Sequence, residues 1–89
     1  MIEITGVMHT PSGGFRLTGK VSLTGANTLI LEIDATDNGL GARYPVQNYY
    51  RASLRMLDSG DYDLSVIHNI HQPAPGIRLR VYHQTVHVD

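Results

Sequence analysis

A chain of 89 residues without cysteine has room for one small domain, and no disulfide or thiolate metal site can brace its core. Apolar residues make up 42% and charged residues 17%, which suits a folded soluble domain and not a disordered one. Seven basic against eight acidic residues give a net charge of −1, which leaves no electrostatic footprint for nucleic acid.

No apolar run nears the roughly 20 residues of a membrane-spanning helix, and Met1-Ile2-Glu3-Ile4 lacks the start of a signal peptide. Contacts with membrane or nucleic acid are therefore not expected. Nearly every apolar residue alternates with a polar one, the period of a strand buried on one face. Ile2, Ile4 and Met8 share one side of the first segment, and Glu3, Thr5 and His9 the other. Pro11-Ser12-Gly13-Gly14 then turns the chain. Residues 15–23 follow, with Val21 and Leu23 alternating with Lys20 and Ser22.

After a second turn at Gly25-Ala26-Asn27, residues 28–36 form the clearest core strand, with Leu29, Leu31, Ile33 and Ala35 on one face. Asp37-Asn38-Gly39-Leu40-Gly41 reads as loop, because Asn-Gly and a second glycine favour positive φ. Pro45 keeps the next stretch irregular or at a sheet edge. Tyr50, Ala52, Leu54 and Met56 alternate with Arg51, Ser53 and Arg55. Residues 51–57 have the composition of a helix, but the segment is too short to stand without caps, and its alternation favours a strand.

Asp58-Ser59-Gly60 turns the chain into Tyr62, Leu64, Val66 and His68, and a proline-bracketed loop spans residues 71–76. The last segment starts with Ile77, Leu79 and Val81 on one face and ends with Val86 and Val88 on the other. A bulge near residues 82–85 explains that change of phase. The pattern predicts an all-β single domain over residues 1–89, an antiparallel β-sandwich of about seven strands. Its expected core is Ile4, Val21, Leu31, Ile33, Leu54, Tyr62, Leu64, Val66 and Val81.

The chemistry-bearing residues are sparse. His9, His68, His71, His83 and His87 would need three or four members converging to bind zinc. His83 and His87 sit on one strand face but about 13 Å apart by strand rise, so solvent-facing strand positions are the simpler reading. Asp34, Asp37 and Asn38 end one strand, and Asp58, Asp61 and Asp63 frame a turn. Either group has the oxygens calcium uses, but ordinary turn chemistry accounts for both. No metal and no cofactor are expected. Ser12, Ser22, Ser53, Ser59 and Ser65 lack a nucleophile setting, and a thin sandwich leaves little room for a water-excluding pocket. No catalytic residue is assigned. Tyr44, Tyr49 and Tyr50 are the candidate partner contacts, because tyrosine joins apolar area to a polar tip. Tyr49 and Tyr50 point to opposite faces of a strand, and filling the core or covering a sheet edge is the alternative for both, as for Tyr82.

The order of motifs carries a resemblance. Ile4-Thr5-Gly6-Val7 opens the chain; a strand at residues 50–57 leads to Gly60-Asp61-Tyr62; a Pro/Gly loop precedes Leu79-Arg80-Val81-Tyr82 and Val86-His87-Val88. This resembles the carboxypeptidase-regulatory-like, or transthyretin-like, β-sandwich, and within that group the N-terminal domain of phage and prophage tail-fibre proteins. Residues 27–48 depart from that pattern. In immunoglobulin-like domains a similar Gly-x-Tyr step forms a tyrosine corner, which here implies that Gly60 supplies the turn and Tyr62 points inward. The resemblance implies a non-enzymatic structural module of the virion, a homo-oligomer held to other tail proteins by protein–protein contacts.

A second resemblance competes with the first. His9-Thr10-Pro11-Ser12-Gly13-Gly14-Phe15, Gly39-Leu40-Gly41 and His71-Gln72-Pro73 are similar to the three loops of chagasin-type cysteine protease inhibitors. The aromatic residue of the third loop is missing here. That reading implies a wedge at one end of the sandwich; a cytoplasmic location is the alternative to the virion, since the start lacks a signal peptide. An adhesion or carbohydrate-binding module is a third reading, supported by the tyrosines alone.

Overall fold

Strands of nine to twelve residues carry the alternation, about twice the usual length. In the computed structural model, residues 2–25, 27–37, 44–55, 57–71 and 76–89 are described. Among them are six strands and no helix: β1 (Ile2–Thr10), β2 (Phe15–Thr24), β3 (Thr28–Asp37), β4 (Val46–Leu54), β5 (Gly60–Ile70) and β6 (Ile77–Val88). β1 and β4 pair into a two-stranded ribbon, and the other four form a sheet in the order β2-β3-β5-β6.

The inner face of that sheet reads as four cross-strand rows. Leu23, Leu29, Leu64 and Gln84 form one, and Val21, Leu31, Val66 and Tyr82 the next. Gly19, Ile33, His68 and Leu79 form the third, and Leu17, Ala35, Ile70 and Ile77 the fourth. The ribbon packs over these rows and closes two clusters. One joins Met8, Leu31, Ile33, Ala35 and Val66 to Phe15 and Leu17 of β2. The other joins Leu29, Leu54, Tyr62, Leu64 and Val88 to Val86 of β6. Ile4 of the ribbon touches both. The first cluster takes nothing from β6 and the second nothing from β2, so the ribbon crosses the sheet obliquely, from one corner to the opposite one.

Four expectations are corrected by this arrangement. The described residues contain six strands where about seven were expected. The pairing is not antiparallel throughout: β3 and β5 run parallel, because β4 crosses to the ribbon between them. Val21 and Val81, expected in the core, are 47% and 44% exposed. Val21 lies on a corner of β2 that the oblique ribbon does not reach. Val81 is the extra residue of the bulge: Tyr82 pairs with Val66 and Arg80 with Ile67, which leaves Val81 unmatched. The bulge thus falls one position before the stretch that the change of phase pointed to. Leu31, Ile33, Leu54, Tyr62, Leu64 and Val66 are buried as expected, and Ile4 is half-buried. The strand assigned in place of a helix after Tyr50 ends at Leu54. Met56 and most of the two loops at 37–41 and 71–76 lie outside the described residues.

Gly60 and Tyr62 form the corner that the Gly-x-Tyr step implied. Gly60 has φ of 144°, in the region side chains avoid. Tyr62 is buried, and its hydroxyl donates to the carbonyl of Asp58 at 2.8 Å, which ties the start of β5 to the chain just before it. Tyr62→Ala is expected to lower the unfolding free energy by about 3–5 kcal/mol through the cavity it leaves. Tyr62→Phe should cost about 1 kcal/mol, the worth of one hydrogen bond. Urea denaturation of both variants checks this, and an equal loss in the two would mean that the ring contributes nothing by packing.

Candidate functional site

A ribbon of two strands cannot cover a sheet of four, and the uncovered strip beside β1 forms a groove of about 480 Å³. One wall is β1 itself, whose consecutive residues 2–7 line the groove. Six successive residues on one wall, pointing alternately to both faces, mean that the free backbone edge of the strand is what faces the opening. The floor is Leu64, Val66 and His68 of β5, and the far side is Val81, Tyr82 and Val86 of β6.

At the β1 end of the floor, Tyr50 and His68 meet. The Tyr50 hydroxyl and His68 Nε2 are hydrogen-bonded at 2.6 Å, and the rings pack edge to face at 5.4 Å. Gly6 stands opposite Tyr50 in the ribbon register and makes room for its ring: a Cβ on Gly6 would sit 2.5 Å from that hydroxyl. Burial pushes the Tyr50 phenol up from its ordinary value. Burial also pushes His68 down from its ordinary value, helped by the nearby His9. His68 is therefore held as the neutral imidazole at neutral pH. The pair was not anticipated as a unit, although two signals pointed to it. A glycine inside a strand marks close approach, and His68 shares the apolar parity of Tyr62, Leu64 and Val66.

The outer face of the large sheet has a different chemistry. His87 of β6 donates from Nδ1 to Asp61 at 2.7 Å and from Nε2 to Asp89 at 3.1 Å. The hydrogen bond to Asp61 is the main force raising its pKa; burial opposes it, and the charges of Asp61 and Asp89 add to the rise. His83 donates to Asp63 at 2.6 Å, and His71 to Asp34 at 3.0 Å. Burial disfavours the Asp34 carboxylate, but hydrogen bonds from His71 and Asn69 outweigh it and lower its pKa. Arg78 bridges Asn69 at 3.1 Å and Glu32 at 2.9 Å. Asp34, Asp61 and Asp63, whose oxygens suit calcium or a turn, are each hydrogen-bonded to a histidine. Among the described residues, no three His, Asp or Glu side chains converge on a point where a metal ion could sit.

The three tyrosines part company. Tyr44 and Tyr49 are exposed, Tyr49 at 76%, while Tyr50 is half-buried against His68 and lines the groove. A partner reaching Tyr50 has to enter from the groove side, whereas Tyr49 lies on the solvent face of the ribbon opposite Val7. No protein-family model, curated protein or solved structure matches the chain.

The two kinds of histidine give opposite pH effects. His68 resists protonation when folded, so its contribution is complete above about pH 6.5 and is lost as pH falls from there through its lowered folded value. His87 gains from its carboxylates only when charged. Its contribution is complete below about pH 6.5 and is lost as pH rises through its raised folded value. His68→Gln should therefore flatten the loss of stability on acidification. The deficit of His87→Asn relative to the parent should be largest at acid pH and vanish at alkaline pH. Urea midpoints at pH 5, 7 and 9 read both, and parallel curves for all three proteins would refute the assignment.

Proposed function

We propose that the chain is a non-enzymatic structural or binding module acting through protein–protein contacts, a component of a phage tail or tail fibre and hence of the virion. The observation that carries this reading is the apolar surface left outside the ribbon. The chain exposes 6066 Å², roughly 900 Å² more than a compact protein of 9.8 kDa exposes. That excess is close to the roughly 800 Å² per partner of a standard interface. Part of the exposed apolar surface lies on the inner face at two opposite corners. Val21 and Leu23 occupy the β2 corner, and Ile77 and Leu79, at 60% and 58% exposure, the β6 corner. Two different patches on opposite corners suit a head-to-tail contact, which closes into trimers or rings. The strand order from Ile4 to Val88 is the second support, through its resemblance to tail-fibre domains.

The alternative of a chagasin-like cysteine protease inhibitor has one observation in its favour. Thr10 pairs with Val46, Phe15 with Asp37 and Ile70 with Ile77. The connections at 11–14, 38–45 and 71–76 therefore leave from one end of the sandwich, as a wedge of three loops requires.

Light scattering is expected to give an oligomer at micromolar concentration, and Val21→Lys or Leu79→Lys should weaken it at least tenfold, about 1.4 kcal/mol. A monomer at every concentration would overturn the head-to-tail contact. Inhibition of a papain-like protease at nanomolar concentration would replace the tail reading by the inhibitor one, while a gene position among tail genes would support the first.

A further inference from the structure

The four strands with a free edge are not equally defended against pairing. β2 carries Arg16 and Lys20. β4 carries Arg51 and is preceded by Pro45. β6 carries Arg78 and Arg80 and is bent by the bulge at Val81. Lysine, arginine, proline and bulges are the devices by which edge strands avoid adding another chain. β1 has none of them: its nine residues contain no basic side chain other than His9, no proline and no bulge, and Glu3 is its one acidic group. It is also the strand whose edge opens on the groove.

We propose that the groove is a receptor for one extended segment of a partner protein, which adds to the edge of β1 as the third strand of the small sheet. This deepens the protein-contact reading above by naming the partner's chemistry. A third strand at the ordinary spacing of about 4.8 Å lies over β6 and turns the two-on-four arrangement into three-on-four, the seven-strand count of a complete sandwich. The inserted strand meets Leu64, Val66, Tyr82 and Val86 below, so its inward residues are apolar at every second position. Its outward residues neighbour Glu3, Thr5 and Val7. Glu3 has only a long 3.7 Å pair to an exposed Arg51, so the segment carries a lysine or arginine opposite Glu3. A second copy of this chain is the poorer occupant, because its own β1 brings no lysine or arginine to face Glu3, and its other edges carry the basic residues, proline or bulge that resist pairing.

The probe is a nine-residue peptide alternating valine with threonine and bearing one lysine placed to face Glu3. It is titrated into the intact chain while backbone amide exchange is followed. Exchange is expected to slow at least tenfold, in a saturable way, at alternate amides of residues 2–7 and not on β2 or on the outer edge of β6. Tyr82→Lys, which puts a charge into the groove, should abolish the protection while leaving the urea midpoint of the free chain in place. Glu3→Lys should weaken the lysine peptide about two- to five-fold and restore binding to the same peptide with glutamate in the lysine's place. No slowing on β1, equal slowing on other edges, or indifference to the Glu3 charge would overturn the proposal. So would amides of β1 already protected in the free chain in proportion to its concentration, which would make a second copy the occupant. The corner variants Val21→Lys and Leu79→Lys lie outside the groove, so loss of the oligomer with retained peptide binding would sink the head-to-tail contact alone.

Discussion

Everything distinctive in this structure follows from laying two strands across four. At about 4.8 Å per strand, the ribbon is roughly half as wide as the sheet it must cover. It buries what it can reach: the inner row of β3, from Leu29 to Ala35, and the inner row of β5, from Tyr62 to Val66. Lying obliquely, it also reaches Phe15 and Leu17 at one corner and Val86 and Val88 at the other, and so builds two clusters joined through Ile4. The same tilt abandons the remaining corners. The groove beside β1 and the bare patches on β2 and β6 are therefore consequences of one packing constraint, not three separate features.

What the sequence makes legible is the direction in which each side chain points. The period of two put Leu29, Leu31, Ile33 and Ala35 on one face, and the structure buries all four. The break of phase in the last segment located a bulge to within one residue. Gly60 and Tyr62 announced a corner through two chemically different requirements, a positive φ and a buried ring. What alternation does not carry is whether an inward face is covered. Val21 and Leu23 alternate as well as Leu31 does, yet the ribbon leaves them about half exposed, because coverage depends on the strand count and tilt of the opposing layer. The parallel pairing of β3 and β5 was hidden for a similar reason: it depends on β4 leaving for the ribbon, and no residue of either strand records that.

Histidine shows the same limit in the candidate site. Five histidines in a strand-rich sequence look alike one at a time, and the register of the sheet separates them. Asp61 stands directly across from His87, and Asp63 lies on the same face within reach of His83. These hydrogen-bonded pairs lie on the outer face in water, where each is individually weak. His68 shares its strand with Asp61 and Asp63 but has the opposite parity. It is turned to the groove, buried, and bonded to a neutral phenol in place of a carboxylate. The face a histidine occupies thus decides its behaviour: His87, among the outer carboxylates, favours a proton, and His68, turned to the groove, resists one.

The bulge at Val81 connects the closed part of the core to the open part. Before it, the odd residues Ile77 and Leu79 face inward; after it, the even residues Tyr82, Gln84, Val86 and Val88 do. Without the extra residue one set would point outward, among Asp61, Asp63 and their histidines. Either Val86 and Val88 would be withdrawn from the cluster around Tyr62, or Ile77 and Leu79 would join the polar face. The chain keeps both sets inward, although the ribbon covers only Val86 and Val88. Folding alone sets a use for Val86 and Val88, which close the core. It sets none for Ile77 and Leu79, where polar side chains would solvate a bare corner at lower cost. Apolar residues held inward by a bulge, on a corner that the ribbon does not cover, are what the proposed contact with another chain would use.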